Sequence, residues 1–190
     1  LLNKWIGKRT IRPDGDDKVT GRAAYSADTT LPGMLWGRIL RSPHPHARIK
    51  SINTAKAAAL PGVKAVMTSK DFVPFPVDKS VMLGIQDMRW MARNIMAQDK
   101  ALFAGHPVAA VAATSQKIAA QAIKLIEVDY EVLPWAIDID DAMKPGAPIL
   151  HDHIKFDGKP SNIAGTLEHK LGDIEAGFAQ ADVVIERSFK

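Results

Sequence analysis

The stretch PVAAVAATSQKIAAQAIKLIEVDYEV, Pro107 to Val132, changes its apolar period twice, and those changes decide the fold class. Val108 to Ala113 is an unbroken apolar run of strand length, as expected for a strand buried on both faces. Ser115 then offers an oxygen to the free N–H groups of a helix start. Beyond it Ile118, Ala119, Ala122, Ile123 and Ile126 recur at helical spacing, with Gln116, Lys117, Gln121 and Lys124 elsewhere. From Glu127 to Val132 the period drops to strict alternation, which marks a half-buried strand with Glu127, Asp129 and Glu131 on its wet face. The reading is strand, short helix, strand.

The same unit recurs on both sides of this stretch. Upstream, Met34 to Arg41 reads as a strand closed by Ser42-Pro43-His44-Pro45, where proline removes ladder donors. Arg48 to Ile52 alternates, Thr54 can cap a short alanine-rich helix to Leu60, Pro61-Gly62 stops it, and Val63 to Thr68 is the next strand. Downstream, a third copy runs from about Ile163 to Leu171, turns at Gly172-Asp173, places Ile174, Phe178 and Ala181 on a helix face, and ends in a strand over Asp182 to Phe189. Repeated strand–short helix–strand units with strands left over for antiparallel pairing predict an α+β fold on a mixed sheet. We expect a single domain over 1–190, with 1–20 an irregular lead-in.

Two segments break the pattern. Residues 72–98 hold Pro74, Pro76, Met82, Met88, Met91, Met96 and Trp90 without a clean period. Such an insertion is either an interface or lid, since methionine adapts to irregular surfaces, or a loop packed on its own domain. Lys144 to Ser161, rich in proline and glycine, is a surface connector. No initiator Met precedes Leu1, and the last strand is still in progress at Lys190, so we expect the chain to be part of a longer protein.

Composition narrows the function. Hydrophobic residues are 46% and charged residues 24%, which excludes disorder. The formal charge of +4 is spread out, Lys4, Lys8, Arg9 and Arg12 forming the one basic cluster, so no nucleic-acid partner is expected. There is no cysteine, which removes disulfides, thiolate zinc sites, Cys-ligated iron–sulfur clusters and thiol nucleophiles and fits a reducing, cytoplasmic setting. No apolar run is long enough to span a membrane.

Candidate chemistry is sparse. His44-Pro45-His46 and His151-Asp152-His153 each place two imidazoles one residue apart, but neither has a third ligand nearby, and a catalytic metal needs three. Both pairs read as surface or turn histidines. His106, in Gly105-His106-Pro107, reads as a turn residue bonded to backbone or as a polar group positioned near a site. Asp138, Asp140 and Asp141 read as a cap for a helix beginning near Asp140. No nucleophile elbow, Walker A loop or G-x-G-x-x-G is present. No catalytic, cofactor-binding or metal-binding residue is assigned.

The order of several short motifs carries a resemblance. Val19-Thr20-Gly21-Arg22-Ala23-Ala24-Tyr25 precedes Leu35-Trp36-Gly37-Arg38-Ile39-Leu40-Arg41-Ser42-Pro43-His44-Pro45-His46-Ala47-Arg48-Ile49. Ala59-Leu60-Pro61-Gly62-Val63, Gly105-His106-Pro107-Val108-Ala109 and Val128-Asp129-Tyr130-Glu131-Val132-Leu133-Pro134 follow, and Gly172-Asp173, Gly177-Phe178 and Ala181-Asp182-Val183-Val184 close the series. Jointly this resembles the N-terminal a/b hammerhead domain of the xanthine dehydrogenase, aldehyde oxidase and aerobic carbon monoxide dehydrogenase family.

The resemblance implies a large subunit whose molybdopterin-binding domains lie downstream and carry the molybdenum and the general base. Iron–sulfur clusters and possibly FAD would sit on other domains or subunits. The reaction implied is hydroxylation of a carbon centre with oxygen from water. This chain would be scaffold and substrate-funnel wall, with Leu167 as a wall residue or else an ordinary core leucine. His106 departs from the glutamine often found at that position. The alternative is a freestanding ligand- or partner-binding module without catalysis.

Overall fold

The computed structural model describes residues 4, 6–72, 82, 83, 86, 87, 93–152, 154–156, 158–163 and 165–189. In chain order the elements are α1 (Gly15–Val19), β1 (Trp36–Arg41), β2 (Ala47–Asn53), α2 (Ala55–Ala58), β3 (Val63–Thr68), β4 (Met82–Leu83), β5 (Gln86–Asp87), β6 (Lys100–Ala101) and β7 (Pro107–Ala113). Next come α3 (Gln116–Lys124), β8 (Glu127–Val132), α4 (Ile139–Met143), β9 (Lys155–Phe156), β10 (Lys159–Pro160) and α5 (Ile174–Ala179). The fold is α+β, and the pairings β2–β6, β3–β7, β4–β5 and β9–β10 are all antiparallel.

The chain divides into two compact units. The first comprises residues 1–40, 53–71 and 109–127 and is built on the sheet β1–β7–β3. Central β7 is the apolar run of the opening stretch, and Val108, Ala109, Val111 and Ala113 are buried. Its register with β3 runs from Val63 opposite Ala113 to Thr68 opposite Ala109, with an irregularity between Val63 and Ala65. Buried Ala57 on α2 and Ala119 and Ala122 on α3 complete a core made largely of alanine. Small side chains let backbones approach closely, so this core tolerates little added volume. Ser115 caps α3 as the sequence predicts, its hydroxyl accepting from Ile118 N at 3.2 Å.

Pro61-Gly62 does more than stop α2. Gly62 lies at φ +91°, and its carbonyl accepts from Thr114 N at 2.8 Å. A Cβ there would come within 2.7 Å of Ile118 Cδ1 and 2.9 Å of Thr114 Oγ1. Gly62→Ala therefore combines left-handed strain with crowding, and is expected to cost about 2 kcal/mol. Urea unfolding of the variant checks this; an unchanged midpoint would contradict it.

The second unit comprises residues 41–52, 72–108 and 128–190, built on the sheet β6–β2–β8. Ala47 pairs with Ala101 and Arg48 with Lys100 across β2 and β6. On β8, Glu127, Asp129 and Glu131 face solvent as predicted, with Glu131 3.7 Å from Arg48 Nε. Of the methionine-rich segment, Met96 is buried, β4 and β5 form a short hairpin, and Met88, Trp90 and Met91 lie outside the described residues.

Several expectations need correction. The third repeat yields only its helix: Asp173 caps α5 through Ala176 N at 3.0 Å, but residues 165–171 and 183–189 are not strands. Strand-forming residues make a strand only where a neighbour takes their backbone groups, and among the described residues none does. The first strand begins at Trp36 rather than Met34. Asn53, not Thr54, bonds the start of α2, its Oδ1 accepting from Ala55 N at 3.1 Å. By contrast, the aspartate group does cap its helix as expected: Asp138 accepts from Asp140 N at the start of α4, with Asp140 and Asp141 in the first turn.

Candidate functional site

The polar centre of the second unit grows from two proline-flanked turns. In the first, Ser42 is buried, and its hydroxyl accepts from His44 N at 3.1 Å and donates to His44 O at 3.0 Å. In the second, His106 N donates to Phe103 O at 3.1 Å, closing a turn whose third residue, Gly105, has φ +89°. That conformation suits glycine at the third position of a type II turn. The turns are zipped together by Ser42 N to His106 O at 2.9 Å, Gly105 N to Ser42 O at 2.8 Å and Arg41 Nη1 to Gly105 O at 2.8 Å.

His106 is fully buried and both ring nitrogens meet backbone. Leu102 N donates to Nδ1 at 3.1 Å, so Nδ1 carries no proton, and Nε2 donates to Arg93 O at 3.2 Å. One neutral tautomer satisfies both contacts, and the ring stacks on Phe103 at 4.4 Å between centroids. Burial pushes the imidazole below its ordinary range; the charge of His151 adds to this, and the Arg93 carbonyl opposes it.

The two histidines of His44-Pro45-His46 part company. His44 packs edge-on against Tyr130 at 5.1 Å. His46 lies in a bend, as the turn reading has it, but is buried, which corrects the surface reading; Nδ1 donates to Pro134 O at 2.7 Å, and Leu133 N donates to His46 O at 3.0 Å. Its Nε2 is buried without a hydrogen-bond partner among the described residues. Burial pushes the Tyr130 phenol up, opposed by the Ser42 hydroxyl.

His151 lies in the field of the same group. Burial lowers its pKa first, then the charges of Lys100 and His46, with Asp152 opposing. Lys100 is itself withdrawn from solvent and pairs with Asp152 at 2.6 Å. His153 lies outside the described residues. The structure thus draws His46, His106 and His151 into one electrostatic neighbourhood that the sequence pairing did not indicate. Among the described residues, no group of three or more metal-ligating side chains is placed to hold a metal ion. His106 and His46 instead tie backbone to backbone, joining 42–46, 93–106 and 133–134.

Asn162 is a second staple that sequence reasoning missed. Its Nδ2 donates to Ala142 O and Pro148 O, both at 2.9 Å, and its Oδ1 accepts from Leu150 N at 3.2 Å. The Lys144–Ser161 connector is thereby pinned at both ends. Leu167 is 95% exposed in this chain. Leu171, Phe178, Val183, Ile185 and Phe189 are exposed as well.

This architecture has relatives. Residues 20–134 match the family model described as aldehyde oxidase and xanthine dehydrogenase, a/b hammerhead domain. The chain belongs to that family. The carbon monoxide dehydrogenase large chain of Afipia carboxidovorans is 42% identical over 182 residues, covering 89% of this chain and 21% of that one. A solved Cu,Mo-CO dehydrogenase superposes with TM-score 0.69 at 36% identity, over 93% of this chain and 23% of that one. Quinoline 2-oxidoreductase from Pseudomonas putida 86 gives TM-score 0.70 at 30% identity, over 94% and 22%. This hammerhead chain therefore spans about a fifth of the length of such relatives. Among its described residues, no helix is long and apolar enough to cross a membrane.

Proposed function

We propose that the chain is the N-terminal scaffold of the large subunit of a cytoplasmic molybdenum hydroxylase, which inserts water-derived oxygen at a carbon centre. The observation that carries this reading is the match of residues 20–134 to the hammerhead family model, with 42% identity to a carbon monoxide dehydrogenase large chain; exposed apolar side chains in residues 167–189 agree with it. Leu167, Leu171, Val183, Ile185 and Phe189 are all more than 70% exposed. A domain that worked alone would bury such side chains, whereas one that seats further domains leaves them for the interface. The occupant in this reading is the molybdopterin-binding part of the same subunit, with iron–sulfur and flavin groups on other domains or subunits. The two compact units are the halves of one hammerhead domain.

The residues described here do not themselves fit a molybdenum centre. There is no cysteine, and two of the three clustered histidines are committed to backbone bonds. The chemistry of the cofactor belongs to the rest of the enzyme, and this chain contributes shape.

Leu167, exposed on the segment next to α5, is proposed as a wall of the substrate funnel. In the full enzyme, Leu167→Ala is expected to raise KM about two- to tenfold with kcat little changed, because uniform binding is lost. Assays of the full enzyme with aldehydes and N-heterocycles in 18O-water test both statements. Label in the product supports the hydroxylase reading; oxygen drawn from dioxygen would overturn it. An unchanged KM would remove Leu167 from the funnel.

A further inference from the structure

Two withdrawn polar groups of the second unit have complementary needs. His46 is 5% exposed, and its ring is fixed by Nδ1, which donates to Pro134 O at 2.7 Å. In the neutral ring Nε2 then presents a lone pair, and among the described residues no donor meets it. Buried acceptors in native structures find a donor, from the protein or from ordered water. Lys100 has the opposite need. Only 10% of its side chain reaches solvent, and its ammonium carries three protons. Asp152 Oδ2 accepts one of them at 2.6 Å, and among the described residues no other acceptor takes the remaining two.

Backbone register makes these two residues neighbours. Lys100 on β6 stands opposite Arg48 on β2, and His46 lies two residues before Arg48. That is the diagonal spacing across two strands, which a long side chain can span. Burial first, and then the charges of Lys100 and His46, lower the pKa of His151, so both lie within reach of one further side chain. The ammonium and Nε2 nonetheless make no direct bond.

We propose that a single internal water molecule bridges Lys100 Nζ and His46 Nε2. Its oxygen accepts from the ammonium, and one of its protons goes to the ring nitrogen. The other is left for the Asp152 carboxylate that already holds Lys100. About three bonds are what a buried water ordinarily makes. The site calls for a ligand that accepts and donates at once, which selects water over an ion. A metal cation would meet the charge of Lys100, and an anion would meet the lone pair of Nε2. The water ties the bend before β2 to the start of β6 and to the Lys144–Ser161 connector.

The test is a crystal structure of the full-length protein that contains this chain, at a resolution that shows ordered water. A single peak within about 3.2 Å of both nitrogens is expected. No peak, a peak that touches only one of them, or another side chain on Nε2 would overturn the proposal. So would a direct bond from Lys100. Lys100→Met removes the donor while keeping an unbranched side chain, and loss of the peak is expected. Lys100→Gln keeps an N–H and should retain it. A peak that persists unchanged in Lys100→Met would also contradict the bridge. The first structure is of the unaltered protein, so the outcome stands even where a variant fails to fold.

Discussion

His106→Ala is expected to destabilise the second unit by about 3–5 kcal/mol, measured by urea unfolding. The substitution removes a fully buried ring and leaves a void beside Phe103. It also takes the ring partner from the Leu102 N–H and from the Arg93 carbonyl. Either loss alone is about 1–3 kcal/mol for a buried group. His106→Gln separates these contributions. A carboxamide offers one acceptor and one donor, the pair that Leu102 and Arg93 require. Its cost is expected to be about 1–2 kcal/mol, confined to lost packing. Equal losses for Ala and Gln would show that ring shape, not the backbone bonds, sets the stability.

Acid is expected to act on the same place. The folded state holds His106 and His151 below the ordinary histidine range, chiefly through burial. In the unfolded chain both regain a pKa near 6.5, so between that value and the lowered folded ones the unfolded state binds more protons. Stability is then full above about pH 7 and falls as the pH drops through 6.5, with a limiting slope of about 1.4 kcal/mol per pH unit for each proton. The physical event at His106 is direct: a proton on Nδ1 would face the Leu102 N–H, donor against donor. At His151 the added charge would face Lys100 and His46, with Asp152 opposing. Urea midpoints at pH 7.5, 6.5 and 5.5 test this, and His106→Gln should flatten the profile. A wild-type midpoint that rises on acidification would contradict it.

Local chemistry made part of this legible from the sequence. Ser115, the helical spacing of α3, the apolar run of β7 and the alternation of β8 are decided by residues within a few positions of one another. The third repeat shows where that stops. Residues 183–189 carry strand-forming Val183, Val184 and Ile185, yet a strand is a property of two segments, and no second one pairs with them among the described residues. The histidines fail for a related reason. His46 is buried because Pro134, 88 positions away, supplies the carbonyl its Nδ1 needs, and spacing within His44-Pro45-His46 carries no trace of that. Asn162 is equally silent in sequence, since its partners Ala142, Pro148 and Leu150 are backbone groups that any residues could offer. Gly105-His106-Pro107 was the readable exception, a turn signal that did place His106 against backbone.

We propose this hammerhead chain as scaffold for molybdenum chemistry performed elsewhere in the same enzyme. Elemental analysis tests it most directly, on the native protein containing this chain and on the 190-residue chain prepared alone. Stoichiometric molybdenum is expected in the native protein, and none retained by the chain alone. A native protein that contains the chain and lacks molybdenum, or a chain that holds the metal by itself, would contradict it.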